Sequence, residues 1–403
     1  MVRQPSQSSG AGGPCPQAAR CGACNGAAVP YGEQLAAKDA RMAQLFADLA
    51  AGGTELRPIR GMDDPFHYRD KVTTPFAPGK RGPNGGREIL WGMYAPGTHR
   101  IVPKESCLIE NRAAQEVIRA LPPLMKRYRV APYDEDRCTG FLRHAVVRVG
   151  HESGEMLVTL VTNGEQFPAS KAFCRDLVKR CPGVTSVVQN VNTAATNTIL
   201  GQRERRLYGP GFILDTLCGL SFRISSQSFY QVNSTQTAVL YERAMALAAL
   251  DGSQRVIDAY CGTGTIGLVA ASRGAAEVVG VDSVASAIRD AAQNARHNGL
   301  ANTRFVTADA ADFMAGRAAE GGPAPDVVFL DPPRAGCSPA FLEALGALGP
   351  QRIVYISCNP RTQRDDLGRL ARFGYEMPVI EAVDMFPHTE HIESIAVLRK
   401  GEG

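Results

Sequence analysis

Residues 256–268 read VIDAYCGTGTIGL. A β-rich apolar run gives way to a turn punctuated by Gly262 and Gly264, and a helix-like run follows. Glycine at such a junction lets the backbone come close to a ligand. The same texture repeats on either side. RVIDAY, EVVGVD, DVVFLD and RIVYIS are short strand-like runs separated by Ala-rich, helix-like stretches. Strands alternating with helices predict βαβ units and a parallel, doubly wound sheet. The fold class is therefore α/β, with this Rossmann-like layer over residues 226–403.

The preceding chain has a different texture. Over residues 55–225 short strands and turns predominate, with helical stretches near 111–126 and 168–181. HAVVRV (144–149) and EMLVTLVT (155–162) read as a hairpin. This middle part is α+β. Residues 1–54 hold a Gly/Ser-rich tail over the first dozen or so residues, a cysteine cluster, and an amphipathic helix from Tyr31 to Leu49 carrying Leu35, Met42, Leu45, Phe46 and Leu49 at helical spacing.

Composition excludes several classes. The chain has 403 residues, 44% apolar and 21% charged, with mean hydropathy −0.14. That is ordinary globular composition, not a disordered or collagen-like chain. No run approaches the ~20 apolar residues of a membrane span, and the N-terminus lacks the apolar core of a signal peptide. The expectation is a cytoplasmic protein with no obligate protein partner. The net charge of +4 hides a division. Residues 1–225 hold 29 Lys and Arg against 20 Asp and Glu, a net +9, and residues 226–403 hold 15 against 20, a net −5. RDK (69–71), KRYR (126–129) and RERR (203–206), with Tyr68, Tyr128 and Tyr208 nearby, suit phosphate neutralisation and base stacking, although an ordinary solvated surface has the same look.

The candidate site residues follow from position. Asp282 ends the second strand after the glycine loop, where a carboxylate can bind ribose hydroxyls. A glycine loop with such an acid is the usual arrangement of an S-adenosylmethionine site. Asp331-Pro332-Pro333-Arg334 ends the DVVFLD strand, and the Arg after Pro-Pro argues against amino-directed base methylation, which often places an aromatic residue there. Cys358 ends the RIVYIS strand, facing the expected crevice. A cysteine is often only a small buried hydrophobe, but at a strand end before Asn-Pro it reads as a nucleophile. Glu393 opens the final apolar strand beside His391 and is the candidate base. A thiolate adding to carbon 6 of uracil makes carbon 5 nucleophilic, and a base must then remove the carbon 5 proton. Cys15, Cys21 and Cys24 form C-x5-C-x2-C, with Cys107 as a candidate fourth ligand for zinc or a 4Fe–4S cluster. The other six cysteines read as buried or incidental.

Together these residues resemble the iron–sulfur RNA uracil-5-methyltransferases, which make 5-methyluridine in 23S rRNA and have a tRNA-specific branch. The resemblance runs from Cys15 to Leu398. YRDK (68–71), GFLRH (140–144), FYQVN (229–233), the glycine loop, SCNP (357–360) and HIES (391–394) carry it. It implies an S-adenosyl-L-methionine methyltransferase domain, a central RNA-binding domain and an N-terminal iron–sulfur segment. It implies Cys358 as nucleophile and Glu393 as general base. Gln231, Tyr260, Thr265, Asp282, Asp309 and Asp331 would serve the cofactor, and Cys15, Cys21, Cys24 and Cys107 a 4Fe–4S cluster. Asp70 stands for a family Asn, Asp282 for a common Glu and Thr265 for a frequent Asn. The cluster cysteines come so early that the N-terminal β-barrel of many 23S enzymes has no room, which leaves RNA recognition to the central basic region. The expected partner is RNA, with 23S rRNA as the target. The rivals are the same reaction on tRNA, whose enzymes commonly lack the cluster cysteines, an RNA cytosine-5-methyltransferase, disfavoured by Pro332-Pro333-Arg334 where those enzymes typically show a Pro-Cys pair after the Asp-Pro, and a non-catalytic iron–sulfur RNA-binding protein.

Overall fold

The computed structural model describes residues 15–82 and 86–401. The Gly/Ser-rich tail lies outside them. The helix expected over 31–49 is two, α1 (Tyr31–Leu45) and α2 (Ala47–Ala51), separated at Phe46, whose ring is fully buried. A two-residue strand β1 (Glu55–Leu56) follows.

The central part is a seven-stranded sheet backed by two helices. Its strands are β2 (Lys71–Arg81), β3 (Arg87–Tyr94), β4 (Ile101–Pro103), β5 (Leu142–Val149), β6 (Met156–Thr162), β7 (Val184–Val191) and β8 (Arg203–Tyr208), in the order β4-β3-β2-β5-β6-β7-β8. The hairpin read from the sequence is β5–β6, antiparallel, with Val149 opposite Met156. Helices α3 (Arg112–Arg127) and α4 (Ser170–Arg180) bury Val117, Leu121, Leu124, Phe173 and Leu177 against the sheet. Asn111 caps α3 by accepting from the Ala113 N–H.

A hairpin, β9 (Phe212–Leu217) with β10 (Leu220–Ser225), leads into the C-terminal layer. There α5 (Ser234–Ala248), β11 (Arg255–Ala259), α6 (Thr265–Ser272), β12 (Glu277–Asp282), α7 (Ala285–His297), β13 (Thr303–Thr307), α8 (Ala310–Ala319), β14 (Val327–Leu330), α9 (Pro339–Leu348), β15 (Arg352–Ser357), α10 (Pro360–Ala371), β16 (Tyr375–Val383) and β17 (Glu393–Lys400) follow, and their seven strands with β1 make one eight-stranded sheet flanked by the helices. Its order is β1-β16-β17-β15-β14-β11-β12-β13. Strands β11 to β15 are parallel, and β17 runs antiparallel between β15 and β16. Every residue of β14 is buried, as expected of a parallel strand covered on both faces.

One face of the sheet packs α5 and α6 with the β9–β10 hairpin around Ile213, Phe222, Leu240 and Leu268. The other packs α8, α9, α10 and α1 around Met42, Phe46, Met314, Phe341 and Leu367. Truncating a ring as deeply buried as Phe46 or Phe341 costs about 3–5 kcal/mol. Two expected boundaries move in consequence. The β9–β10 hairpin, expected before a junction at 225–226, shares the core of the C-terminal layer. Strand β1, expected with the central part, pairs parallel with β16 of the C-terminal sheet. Both segments are drawn in because an open sheet must cover its faces and its edge.

Candidate active site

The strand ends define the site. Residues just after β11, β12, β14 and β15 emerge at the carboxyl edge of the sheet, beside the switch point where β11 has β12 on one side and β14 on the other. Because β17 is antiparallel, its first residue reaches the same edge. Tyr260, Asp282, Asp331, Cys358 and Glu393 therefore stand along one rim.

The glycine loop is shaped by its own residues. Gly262 and Gly264 take φ of +53° and +80°. A Cβ on Gly262 would meet nothing within 4 Å, so open space lies beside the loop. Asp282 holds the loop: its carboxylate accepts from the Gly262 N–H at 3.0 Å and from the Val284 N–H at 2.8 Å. Asp258, fully buried in β11, accepts from the Gly267 N–H at 2.7 Å and fixes the start of α6. Burial without a cation pushes its carboxyl up to about 8. Tyr260 adopts φ of 64°, a strained value for a residue with a side chain, and packs on Phe341 at 5.2 Å. Thr265 shares a 3.0 Å hydrogen bond with the Tyr241 hydroxyl. Gln231 lies half-buried in the segment before α5. The Thr263 hydroxyl donates to the Phe229 carbonyl at 3.5 Å, which holds that segment against the loop. Asp309 is exposed, and its side chain caps α8 by accepting from the Ala311 and Asp312 N–H groups.

The placement of Cys358 and Glu393 is set by strand register. Ser357 of β15 faces Ser394 of β17, so Cys358, just past β15, and Glu393, the first residue of β17, stand side by side one step further. Burial pushes the Cys358 thiol up to about 11, reinforced by Glu393 and Asp331 and opposed by Arg334. Glu393 is 3% exposed. Burial and then Asp331 push its carboxyl well up, and Arg334 pulls it down. Burial also raises Asp331 to about 7. These are the shifts that low-dielectric surroundings and like charges produce at reactive sites.

Several residues of the site had no assigned part in the sequence reading. Arg334 was read there only as standing in place of an aromatic residue or a cysteine. Among the described residues it is the one cation that opposes the carboxylates on both Cys358 and Glu393, and its guanidinium lies 3.1 Å from His391 Nδ1. Asn359 donates to the Arg334 carbonyl at 2.9 Å, tying the SCNP turn to the DPPR turn. Behind them Gln363 donates to the Tyr355 carbonyl at 2.8 Å and accepts from the Ser394 hydroxyl at 2.7 Å, bracing β15 against β17 beneath Cys358 and Glu393. The sequence signal for Asn359 and Ser394 was their place in SCNP and HIES. Gln363 gave none.

The N-terminal cysteines meet elsewhere. Cys15, Cys21, Cys24 and Cys107 line one small cavity with Ala18, Ala27, Phe66 and Ile109. Burial, then the Cys107, Cys21 and Cys15 thiols, push the Cys24 thiol up to about 12. Among the described residues no group of three or more His, Cys, Asp or Glu is arranged to hold a metal ion. Of the other six cysteines, Cys138 is exposed, Cys218 half-buried, and Cys174, Cys181, Cys261 and Cys337 are buried.

The basic motifs are less open than expected. Tyr68 is buried and donates to the Pro387 carbonyl at 2.9 Å, and Tyr128 donates to Asp176 at 2.7 Å. Of the three tyrosines proposed for stacking only Tyr208 is exposed. Asp70 is buried and accepts from Asn111 and the Ser234 N–H, joining the central part to α5.

A doubly wound sheet, a glycine loop held by an acid on the next strand, and an acid at the switch point define an S-adenosylmethionine-dependent methyltransferase. Comparison with known proteins narrows the class. Residues 218–401 match the family model described as tRNA (Uracil-5-)-methyltransferase. An uncharacterized RNA methyltransferase of Halalkalibacterium halodurans is 42% identical over 96% of this chain and 82% of its own length. One of Staphylococcus aureus is 41% identical over 95% and 83%. The crystal structure of Pyrococcus abyssi tRNA (uracil-54, C5)-methyltransferase in complex with S-adenosyl-L-homocysteine superposes with a TM-score of 0.76 at 27% identity, covering 94% of this chain and 86% of that one. The chain belongs to the RNA uracil-5-methyltransferase family. No helix among the described residues is long and apolar enough to cross a membrane.

Proposed function

We propose that the chain methylates carbon 5 of a uridine in 23S rRNA, with Cys358 as nucleophile and Glu393 as base. The observation that carries this reading is the β15–β17 register, which sets the two side chains side by side at the cofactor rim. The target base would leave its stack to reach that rim. The Cys358 thiolate adds to carbon 6, and the electrons of the carbon 5–carbon 6 double bond pass into an enolate. S-adenosylmethionine supplies an electrophilic methyl group. Carbon 5 takes that methyl as the sulfonium–carbon bond breaks. Glu393 then accepts the carbon 5 proton, the double bond re-forms, and the thiolate departs. A carboxylate whose proton affinity is raised by burial suits that last step. Arg334 favours the thiolate before attack.

The residues fit the cofactor. Open space beside Gly262 accommodates a ligand against the loop backbone, and Asp282 and Asp331 stand at the strand ends beside it. Gln231, Tyr260, Thr265, Asp282 and Asp331 would line it. Asp309, which follows the edge strand β13 and caps α8, would stand at the margin of the set.

The four cysteines also fit a 4Fe–4S cluster in the chemistry of the donor set, since they share one cavity whose other lining is apolar but for His388. Bound there, a cluster would tie the 15–24 turn to the Cys107 segment.

The 23S target rests on the family resemblance and these cysteines. The similarity to a tRNA enzyme favours the same reaction on tRNA as the second reading. Incubation with methyl-labelled S-adenosylmethionine and, separately, unmodified 23S rRNA and tRNA decides between them. The expected result is labelled 5-methyluridine in 23S rRNA alone. Label in tRNA alone selects the second reading, and label on any other atom removes both.

A further inference from the structure

A second cavity, about 930 Å³, opens in the central part, and no residue of the methyl-transfer site lines it. Its floor is the β2–β5 sheet, with Arg143 and His144 of the GFLRH segment. One wall is the β3–β4 turn with Tyr94 and His99, and another is the loop before β8. Gly22, between cluster cysteines, closes one end and packs on Pro96.

The chemistry of the walls is selective. Arg143 is buried and its guanidinium is consumed by Glu135 at 3.0 Å and by the carbonyls of Asn192 at 3.0 Å and Ala194 at 2.8 Å. No cation is left there for a phosphate. The rim carries Glu135 and Asp136, the latter exposed and 3.0 Å from His99. His144 is 7% exposed, and its Nδ1 is sealed from water with no hydrogen-bond partner among the described residues. An orphaned acceptor is cheaper to bury than an orphaned N–H, so the proton belongs on Nε2, and the edge of the ring that lines the cavity is a donor. Tyr94 stands edge-on to His144, with centroids 6.2 Å apart, and next to His99 at 5.9 Å. Donor, carboxylates and aromatic faces together match a neutral heteroaromatic base with an exocyclic amine. The loop forming one wall runs directly into β8, where Arg203, Arg205 and Arg206 are exposed and can meet the flanking phosphates.

We propose that this cavity is a docking site for one unstacked, amino-bearing nucleobase (adenine, cytosine or guanine) of the RNA substrate, separate from the uridine that is methylated. The site anchors the RNA while the crevice at Cys358 works. The inference rests on RNA being the substrate, but not on which atom is methylated.

The test is ultraviolet cross-linking of the full chain to 23S rRNA, followed by mass spectrometry. The expected adduct is an adenosine, cytidine or guanosine nucleotide on the tryptic peptide 88–100, which holds Tyr94 and His99. No adduct on that peptide, while other peptides of the same sample are cross-linked, overturns the proposal, as does uridine alone. In parallel, Tyr94→Ala should raise the KM for RNA by about fivefold or more, with kcat and S-adenosylmethionine affinity unchanged, and Tyr94→Phe should restore it. An unchanged KM in Tyr94→Ala also overturns it. Cross-linking at 88–100 without formation of 5-methyluridine would leave the docking site standing and remove the proposed reaction. Methylation without the cross-link would do the reverse.

Discussion

Cys358 and Glu393 leave neighbouring antiparallel strands at opposed positions, one step beyond the Ser357–Ser394 pair. The insertion of β17 between β15 and β16 produces this relationship, since in a wholly parallel sheet the first residue of the last strand would lie at the opposite edge. Asp331 and Arg334 act on both groups with opposite sign.

That opposition is measurable on the thiol. Arg334 holds the Cys358 thiol down and Asp331 holds it up, so Arg334→Ala should raise the pH of half-maximal iodoacetamide alkylation of peptide 353–361. Asp331→Asn should lower it. Each shift should be ~1 pH unit, the size expected of one nearby charge. Shifts in the same direction for both variants would refute the arrangement.

The buried carboxyl of Asp258 sets a pH dependence of stability. Its folded value, about 8, lies above the ordinary carboxyl range. The folded state therefore holds the proton that the unfolded state has lost, and stability falls as pH rises from about 4 towards 8. Asp258→Asn keeps an acceptor for the Gly267 N–H and removes the titration. Its Tm should fall less than the wild-type Tm between pH 5 and 8. Equal slopes would show that Asp258 does not titrate in this range.

Helix α1 is latched to the loop before Glu393. Lys38 bonds Asp384 at 2.6 Å with both side chains buried, and the Tyr31 hydroxyl donates to the same carboxylate at 2.8 Å. Lys38→Met strands a buried charge and should cost about 3–5 kcal/mol in denaturant unfolding. Adding Asp384→Leu should recover much of that loss. A single variant as stable as wild type would show that the latch contributes nothing.

For the cysteine cavity, anaerobically purified protein should be brown and carry iron and sulfide in equal amounts. Cys24→Ala should be colourless. Zinc in place of iron in the wild type would contradict the cluster.

Much of the site was legible before the structure because it sits at strand ends, and strand ends are marked by where β-branched runs stop. RVIDAY, EVVGVD, DVVFLD and RIVYIS became β11, β12, β14 and β15, and Glu393 opens β17 as expected. Strand β13, TRFVT, escaped notice because it is the sheet's edge strand, none of its residues is buried, and it carries no apolar run. The insertion of β17 is a tertiary choice with no local signature. Burial misled the reading of Tyr68 and Tyr128, since a tyrosine beside arginines has the same sequence whether its hydroxyl faces a base or a buried carbonyl. Arg334 and Gln363 act across turns and strands far apart in the chain, and no spacing announces that.

The most direct test of the reaction is Glu393→Gln. Without a group to take the carbon 5 proton, the methylated base cannot eliminate the thiolate. Incubation with S-adenosylmethionine and 23S rRNA should leave a denaturation-resistant protein–RNA adduct, carrying the transferred methyl and mapping to Cys358 in peptide 353–361. Normal turnover by this variant, or an adduct at any other residue, would contradict the account.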